Sequence, residues 1–413
     1  MLTKLRNKKS LVFLDQVMVS GSNFILGILL ARNLGIEGYG YYSLIWLVVL
    51  FFSSMQLASL ISPMMSLGPK KNVIAQNNYY FTMIVIQFFY ACLSMLLAFL
   101  FFRLIGVFKD EWAIGDLSYL VSIFIFVFLL QDFLRRYFFV KIKSFTVLIM
   151  DSFSYLGTIG VIAYYTVYDS LTLNIIFFIM ISMYAVSALI GLTQIKYFYF
   201  NKRYTFYIFK KNMLFSRWLI SSSLLQWGTG NFFILLAGSI LGASAVGAIK
   251  AMQNLMGVFH VVFLALENIL PMKFSQIYHT QGIESLSRYL RKNINFTWII
   301  FLPFLLIVTL FSKDIVGLIY GSEYVNDAYL LIWFMVIYVF IYIGMLLRYV
   351  LRSVEDTKSI FTSYVVSLLF SMVTAYPLIE LFGLDGVMIG MLGIQIITLY
   401  IIYKNVKRKG ALV

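Results

Sequence analysis

One apolar segment carries Lys250, Gln253, Asn254, His260 and Glu267, with Gly257 among them. At about 100° per residue these positions fall within an arc of about 140°. Such a face offers a cation near one end, amide donors beside it and a titratable ring at mid-depth. Arg32 is a second cation of this kind, near the end of another polar-bearing apolar segment. A guanidinium grips a phosphate bidentately and an ammonium adds a point charge, so the two suit a pyrophosphate. Asn23 and Asn231 add hydrogen-bonding groups in their own segments, and with Arg32, Lys250, Gln253, Asn254 and His260 they form the expected substrate-binding set. Asp15 and Glu267 are acids within apolar segments and the candidates for proton or sodium coupling. Structural roles compete with each of these. Lys250 and Glu267 could snorkel to opposite interfaces, and Arg32 could pair with Glu37 for about 0 to 1 kcal/mol. Asp15, Asp151 and Glu267 could each pair with a nearby Lys or Arg. Asp132, Arg135 and Arg136 have the i, i+3, i+4 spacing of intrahelical ion pairs.

The elements that position these residues must lie in lipid. Of 413 residues, 62% are hydrophobic and 12% charged, whereas soluble domains carry about a quarter charged residues. One cysteine, Cys92, and two histidines, His260 and His279, leave no expected metal cluster and no intramolecular disulfide. The composition predicts an all-α polytopic membrane protein. Runs of about twenty apolar residues match about 30 Å of hydrocarbon at about 1.5 Å of rise per residue. Twelve are expected, at 11–33, 41–66, 79–106, 117–140, 145–168, 171–198, 214–241, 246–271, 294–320, 325–349, 358–382 and 384–403. They are apolar all round, unlike the alternating strands of a membrane barrel. The first is too long for a signal peptide and is read as an uncleaved anchor.

When the loops are assigned alternately to the two sides, all but five of the 32 Lys and Arg share the side of the N-terminus. The exceptions are Arg32, Arg103, Lys109, Lys250 and Lys313. Positive-inside bias then places both termini in the cytoplasm. It also accounts for the net charge of +15 without a nucleic-acid partner, basic loops being attracted to anionic membrane lipids. The outer-boundary aromatics Tyr39, Tyr41, Tyr42, Trp112, Tyr320 and Tyr324 read first as interface anchors.

The halves resemble each other at an offset near half the length. Asn23-Phe24 matches Asn231-Phe232, Pro63-Met64 matches Pro271-Met272, and Leu34-Gly35 matches Leu241-Gly242 with a one-residue slip. Six spans per half make the repeat parallel, so two six-helix lobes, 1–205 and 206–413, are expected around a central cavity related by a pseudo-twofold axis. Pro63, Pro271, Pro303 and Pro377 are the expected hinges.

The segment from Asp15 to Tyr42, DQVMVSGSNFILGILLARNLGIEGYGYY, and QDFLRRYFFVKIK from Gln131 resemble the first hairpin and the end of the fourth helix of Wzx-type polysaccharide flippases. Those belong to the multidrug/oligosaccharidyl-lipid/polysaccharide exporter superfamily. Length and span count match as well. The resemblance implies a protein of the bacterial cytoplasmic (inner) membrane that flips an undecaprenyl-pyrophosphate-linked oligosaccharide to the outer leaflet for O-antigen or capsule assembly. It implies no organic cofactor, and association with polysaccharide polymerase machinery is possible within it. Family members often place several Arg or Lys in the lumen, and this sequence offers few. A cation-coupled drug exporter of the same superfamily is the alternative, although it would favour cavity acids over outer-end cations. A membrane polymerase or acyltransferase would need a sizeable outer loop. The longest here, around 107–116, has Lys109, Asp110, Glu111 and Asp116 but no histidine, so no catalytic residue is expected.

Overall fold

The computed structural model describes residues 2–108 and 115–410. The side chains of 2–10, of 108 and of several positions between 258 and 300, His260 among them, lie outside the description. Helices follow one another as α1 (Leu2–Gln56), α2 (Ser62–Leu67), α3 (Val73–Phe108), α4 (Ser118–Val140), α5 (Ser144–Asp151), α6 (Thr158–Tyr168) and α7 (Leu173–Thr193). They continue with α8 (Lys202–Leu241), α9 (Ala243–Leu255), α10 (Gly257–Tyr320), α11 (Leu330–Ser353) and α12 (Thr357–Arg408). No strand occurs among the described residues. Nine of the described helical stretches are long and apolar enough to cross a membrane. A helix is the form in which a segment bonds all its own backbone groups where no water is present.

Three long helices are broken by glycines. Gly35 in α1 (φ 68°), Gly282 in α10 (φ 80°) and Gly383 in α12 (φ 58°) have non-helical backbone, a conformation open to glycine because it has no Cβ. With α9 leading into α10, these breaks divide the helices at the connections between the expected spans. Pro63 closely follows the π-helical turn Leu57–Ile61, and Pro271, Pro303 and Pro377 lie within helical backbone. Departures from α-helix other than the glycine breaks include π-helical turns at Leu57–Ile61 and Ser152–Gly157 and Phe311 in α10.

The chain forms two compact units. The first comprises Met1–Leu34 and Ile45–Leu224, and the second comprises Gly35–Leu44 and Leu225–Val413. The division therefore falls within α8, past the expected 205/206 boundary, and a short piece of the N-terminal half belongs to the second unit.

In the first unit Leu60, Ile61, Met64, Tyr79, Tyr80, Met83, Ile86 and Phe133 pack as a buried cluster with Ile208. Polar groups in this interior are spent on backbone. Gln56 and Gln87 both donate to the carbonyl of Leu129 in α4, at 2.6 and 3.1 Å, and the Tyr90 hydroxyl donates to the Phe52 carbonyl at 2.8 Å.

In the second unit the duplicated glycines explain one contact. Gly35 and Gly242 share the same unusual backbone, with φ 68° and 90° and ψ 177° in each. Five residues beyond each lies a further glycine, Gly40 and Gly247. A Cβ on Gly40 would overlap the Ala243 carbonyl, and one on Gly247 would overlap the Ile36 carbonyl. The two contacts are equivalent under the repeat, with each glycine admitting the backbone of the other copy, as small residues do between membrane helices. The helix that restarts after Gly35 has unpaired N–H groups, and Glu323 Oε2 accepts one of them from Ile36 at 3.1 Å.

Gly→Ala within a helix ordinarily stabilises by about 0.5–1 kcal/mol. At Gly40 and Gly247 the sign reverses. Gly40→Ala and Gly247→Ala are each expected to cost about 1–3 kcal/mol, read as a lower thermal midpoint in detergent. Gly21→Ala and Gly160→Ala, where a Cβ meets nothing within 4 Å, are expected to be neutral or stabilising. Equal midpoints for all four variants would exclude the seam as a structural requirement.

Candidate functional site

The first unit buries an unbalanced set of charges. Asp15 of α1 and Asp151 of α5 are 1% and 0% exposed, and Arg135 of α4 is 7% exposed. Arg135 Nη2 donates to Asp15 Oδ2 at 3.0 Å, and its Nε donates to Asp151 Oδ2. Gln131 Nε2, one helical turn before Arg135, donates to Asp151 Oδ1 at 3.0 Å. Asp15 Oδ1 and Gln131 Oε1 meet no donor among the described residues. Two carboxylates share one guanidinium, so the cluster carries an excess negative charge unless it holds a proton or a cation. Burying such an excess is costly. The π-helical turn that follows Asp151 is a local widening of the helix of the sort found beside functional groups.

The intrahelical expectation is half met. Arg136 Nε reaches Asp132 Oδ1 at 3.5 Å, whereas Arg135 turns away to α1 and α5. Asp15 is thus an ion-pair partner, while Glu267, the other coupling candidate, is exposed.

In the second unit the polar segment is divided at a turn at Met256, with Lys250, Gln253 and Asn254 in α9 and Glu267 in α10, which starts at Gly257. Within α9, Lys250 is half-buried and its Nζ donates to Gln253 Oε1 at 2.9 Å. Asn254 Nδ2 donates to the Tyr320 hydroxyl at 3.1 Å, and that hydroxyl donates to the Ala251 carbonyl at 2.9 Å. Every salt bridge among the described residues is made by Arg135 or Arg136, so Lys250 has no carboxylate partner there.

Arg32 and Asn23 are exposed on α1 of the first unit. The expected partner of Arg32, Glu37, accepts from the Tyr41 hydroxyl at 3.0 Å. Asn231 of α8 is half-buried, and its Nδ2 donates to the Trp227 carbonyl at 2.9 Å, one turn back. The side chain of His260 lies outside the described residues.

Two further features escaped the sequence reading. The first unit holds a groove of about 930 Å³ whose lining includes Leu60, Phe89, Leu93, Phe206 and Phe209, with Lys202 and Arg203 its charged members. The second unit holds a smaller pocket of about 290 Å³, where Arg348 of α11 meets Gln226 and Thr229 of α8 and Gln395 and Thr398 of α12. Arg348 was hidden by its position near the end of a span, where the orientation count assigned it to a basic connection. That Gln226 and Gln395, far apart in sequence, line one pocket had no signal short of the fold.

At the connections 68–72 and 141–143 of the first unit, lysines lie over aromatic rings. Lys141 Nζ is 4.5 Å from the Tyr80 ring centroid and donates to Asn77 Oδ1 at 3.0 Å. Lys71 Nζ is 5.1 Å from the Tyr79 centroid. Burial lowers both ammonium pKa values, helped by Lys143 beside Lys141 and by Lys211 near Lys71. Such cation–π seats are the usual anchoring of a membrane interface.

Residues 219–377 match the MatE family model, which is less than half of the chain. No curated protein matches in sequence. Solved structures match far more extensively. A structure titled as the lipid II flippase MurJ in an inward closed conformation aligns with a TM-score of 0.75 at 13% identity, over 97% of this chain and 87% of that one. An inward-facing multidrug resistance MATE family transporter of the MOP superfamily aligns with a TM-score of 0.77 at 13% identity, over 96% and 95%. A MOP superfamily transporter from Pyrococcus furiosus, whose title reports a binding pocket of reverse polarity, aligns with a TM-score of 0.61 at 14% identity, over 97% and 95%. The fold is therefore that of the MOP-superfamily transporters.

Proposed function

We propose that the chain is a flippase, translocating an undecaprenyl-pyrophosphate-linked oligosaccharide from the cytoplasmic to the outer leaflet by alternating access, for O-antigen or capsule assembly. The observation that carries this reading is the sign of the available charge. Lys250 is half-buried in an apolar helix with only an amide oxygen opposite it. A charged side chain within an apolar helix in lipid is costly, and an anionic cargo offsets that cost. A cationic drug would be repelled by it. The apolar groove with Lys202 and Arg203 in its lining supports a cargo that pairs a hydrocarbon chain with an anionic head. In this reading Arg32 and Lys250 contact the pyrophosphate, and the amides of Asn23, Asn231, Gln253 and Asn254, with His260, contact the cargo beside it. The protein then works in the bacterial inner membrane with both termini in the cytoplasm, beside the polymerase that uses its product.

Coupling falls to the first unit. The excess negative charge at Asp15, Arg135 and Asp151 is where a proton or sodium ion is taken up, and no further cofactor is needed. Glu267, exposed in the second unit, is the lesser candidate. A cation-coupled multidrug exporter is the second reading, favoured by the MatE match over 219–377.

The first test is the sidedness of lipid-linked oligosaccharide in cells with and without the protein. Accumulation on the cytoplasmic leaflet in its absence, with loss of surface polysaccharide, is expected, and unchanged lipid-linked sugar with altered drug resistance would move the function to the exporter. Lys250→Gln and Arg32→Ala are each expected to lower this flux several-fold with normal membrane insertion. Full flux in both single variants and in the double variant would sink the clamp.

For the buried cluster, Arg135→Gln leaves two carboxylates without a cation and is expected to cost about 3–5 kcal/mol, measured by thermal unfolding in detergent. Adding Asp15→Asn and Asp151→Asn to it is expected to recover most of the loss, because the repelling charges are gone. Asp15→Asn alone is expected to make flux indifferent to an imposed pH or sodium gradient. Undiminished gradient dependence in both Asp15→Asn and Asp151→Asn would remove the cluster from coupling.

A further inference from the structure

The second unit's 290 Å³ pocket has a composition that neither helix packing nor interface anchoring explains. Arg348 is half-buried, and among the described residues it has neither an ion-pair nor a hydrogen-bond partner. Gln226 and Gln395 are likewise without hydrogen-bond partners among the described residues. Arg348 lies five residues before the end of α11, outside the last turn to which a helix terminus's attraction for a cation is confined. The helix end therefore accounts neither for this cation nor for the two carboxamides from different helices that line the pocket with it. The hydroxyls are arranged differently. Thr229 donates to the Tyr364 carbonyl at 3.3 Å and keeps its acceptor capacity, and Thr398 shares a proton with Ser367 at 2.8 Å. Phe233, Tyr364, Ile341, Met391 and Ile394 supply the apolar part of the lining, with Phe233 packed against Gly390, where a Cβ would collide with its ring.

We propose that this pocket recognises an acidic sugar residue, with Arg348 holding its carboxylate or phosphate and Gln226, Gln395 and Thr229 holding its hydroxyls. A planar guanidinium takes two oxygens of either acidic group at once. Carboxamides donate and accept through the same group, which is what vicinal hydroxyls require, and the apolar part of the lining suits the apolar face of a sugar ring. The volume lies at the lower end of small-ligand pockets, about 300 Å³, the scale of one sugar ring and not of a whole repeat unit. The proposal rests on the flippase reading for its cargo, since it names the part of the oligosaccharide that the second unit reads.

Gly230 supplies a clean probe. It lines the pocket, and a Cβ there meets nothing within 4 Å, so Gly230→Leu fills the space while replacing a poor helix former with a good one. The experiment is a ligand titration of the purified full-length protein in lipid nanodiscs, read by thermal midpoint and tryptophan fluorescence. The probes are glucuronate, glucose 1-phosphate, glucose and inorganic phosphate. Saturable stabilisation by glucuronate or by glucose 1-phosphate is expected, at least tenfold tighter than by glucose or inorganic phosphate, and whichever binds identifies the acidic group. Arg348→Gln and Gly230→Leu are each expected to weaken this binding at least tenfold, and Arg348→Lys to weaken it less than Arg348→Gln. A Gly230→Leu midpoint at or above that of the parent shows that the pocket is blocked in a folded protein. Inorganic phosphate binding as tightly as the sugar acids would reduce the pocket to a bare anion site and overturn the proposal. So would absence of binding by every probe, or binding indifferent to both Arg348→Gln and Gly230→Leu. The titration is independent of transport, so failure of the flippase reading would appear in the sidedness assay and not here.

Discussion

Hydrocarbon offers no hydrogen bonds, and the rest of the structure follows from how this chain supplies them itself. Continuous helices satisfy the backbone over stretches as long as α1, α10 and α12, and interruptions are confined to points where something else takes over. At Gly35 the helix restarts with an unpaired N–H, and the Glu323 carboxylate accepts it. Side chains obey the same demand. The amides of Gln56 and Gln87 converge on a single carbonyl of α4, which ties α1 and α3 to that helix through its backbone. Charged groups are the extreme case, and there the chain answers in two ways.

The first unit buries a guanidinium held by two carboxylates, whereas in the second Lys250 and Arg348 have no carboxylate partner among the described residues. Arg135 gathers two carboxylates from helices on either side of it in sequence, which fixes α1, α4 and α5 to one another through groups too costly to bury apart. The same arrangement leaves a surplus charge, so a structural clamp and an ion-uptake site are compatible descriptions of one cluster. In the second unit Lys250 is held by an amide oxygen, and Arg348 is not held at all among the described residues. An amide satisfies hydrogen-bond geometry without cancelling charge, and this difference is what leaves a field for an anion to enter.

Much of the architecture was legible in sequence because hydropathy and length are local properties. The apolar helices and the duplication around Leu34-Gly35 and Leu241-Gly242 came from short-range pattern, as did the choice of Asp15 and Lys250 as candidates. The failures share a cause. Arg135 was assigned to its i, i+4 neighbourhood, but its partners lie 120 and 16 residues away, and no periodicity reports that. The 100° spacing used from Lys250 to Glu267 passes over a turn at Met256. The positive-φ breaks of α1, α10 and α12 fall at glycines, because proline cannot adopt a positive φ. Arg348 was counted as part of a basic loop, a correct reading of its depth that concealed its place in a pocket.

The glycine seam shows what the duplication accomplishes physically. A repeat brings equivalent surfaces with it, and a contact that is self-complementary under the repeat satisfies both copies at once, as in a twofold dimer. Gly40 admits the Ala243 carbonyl and Gly247 admits that of Ile36, so one sequence solution, a kinking glycine followed five residues later by a second, is used twice in a single contact. Charge, in contrast, has not been kept equivalent. Asn23 and Asn231 still correspond, but Arg135 with its two acids belongs to one unit, and Lys250 and Arg348 belong to the other. Backbone geometry shared with both a lipid II flippase and multidrug transporters therefore does not select a cargo. What differs between the units is the pairing of a few side chains: a guanidinium held by carboxylates has its charge cancelled, and an ammonium facing only an amide oxygen keeps it.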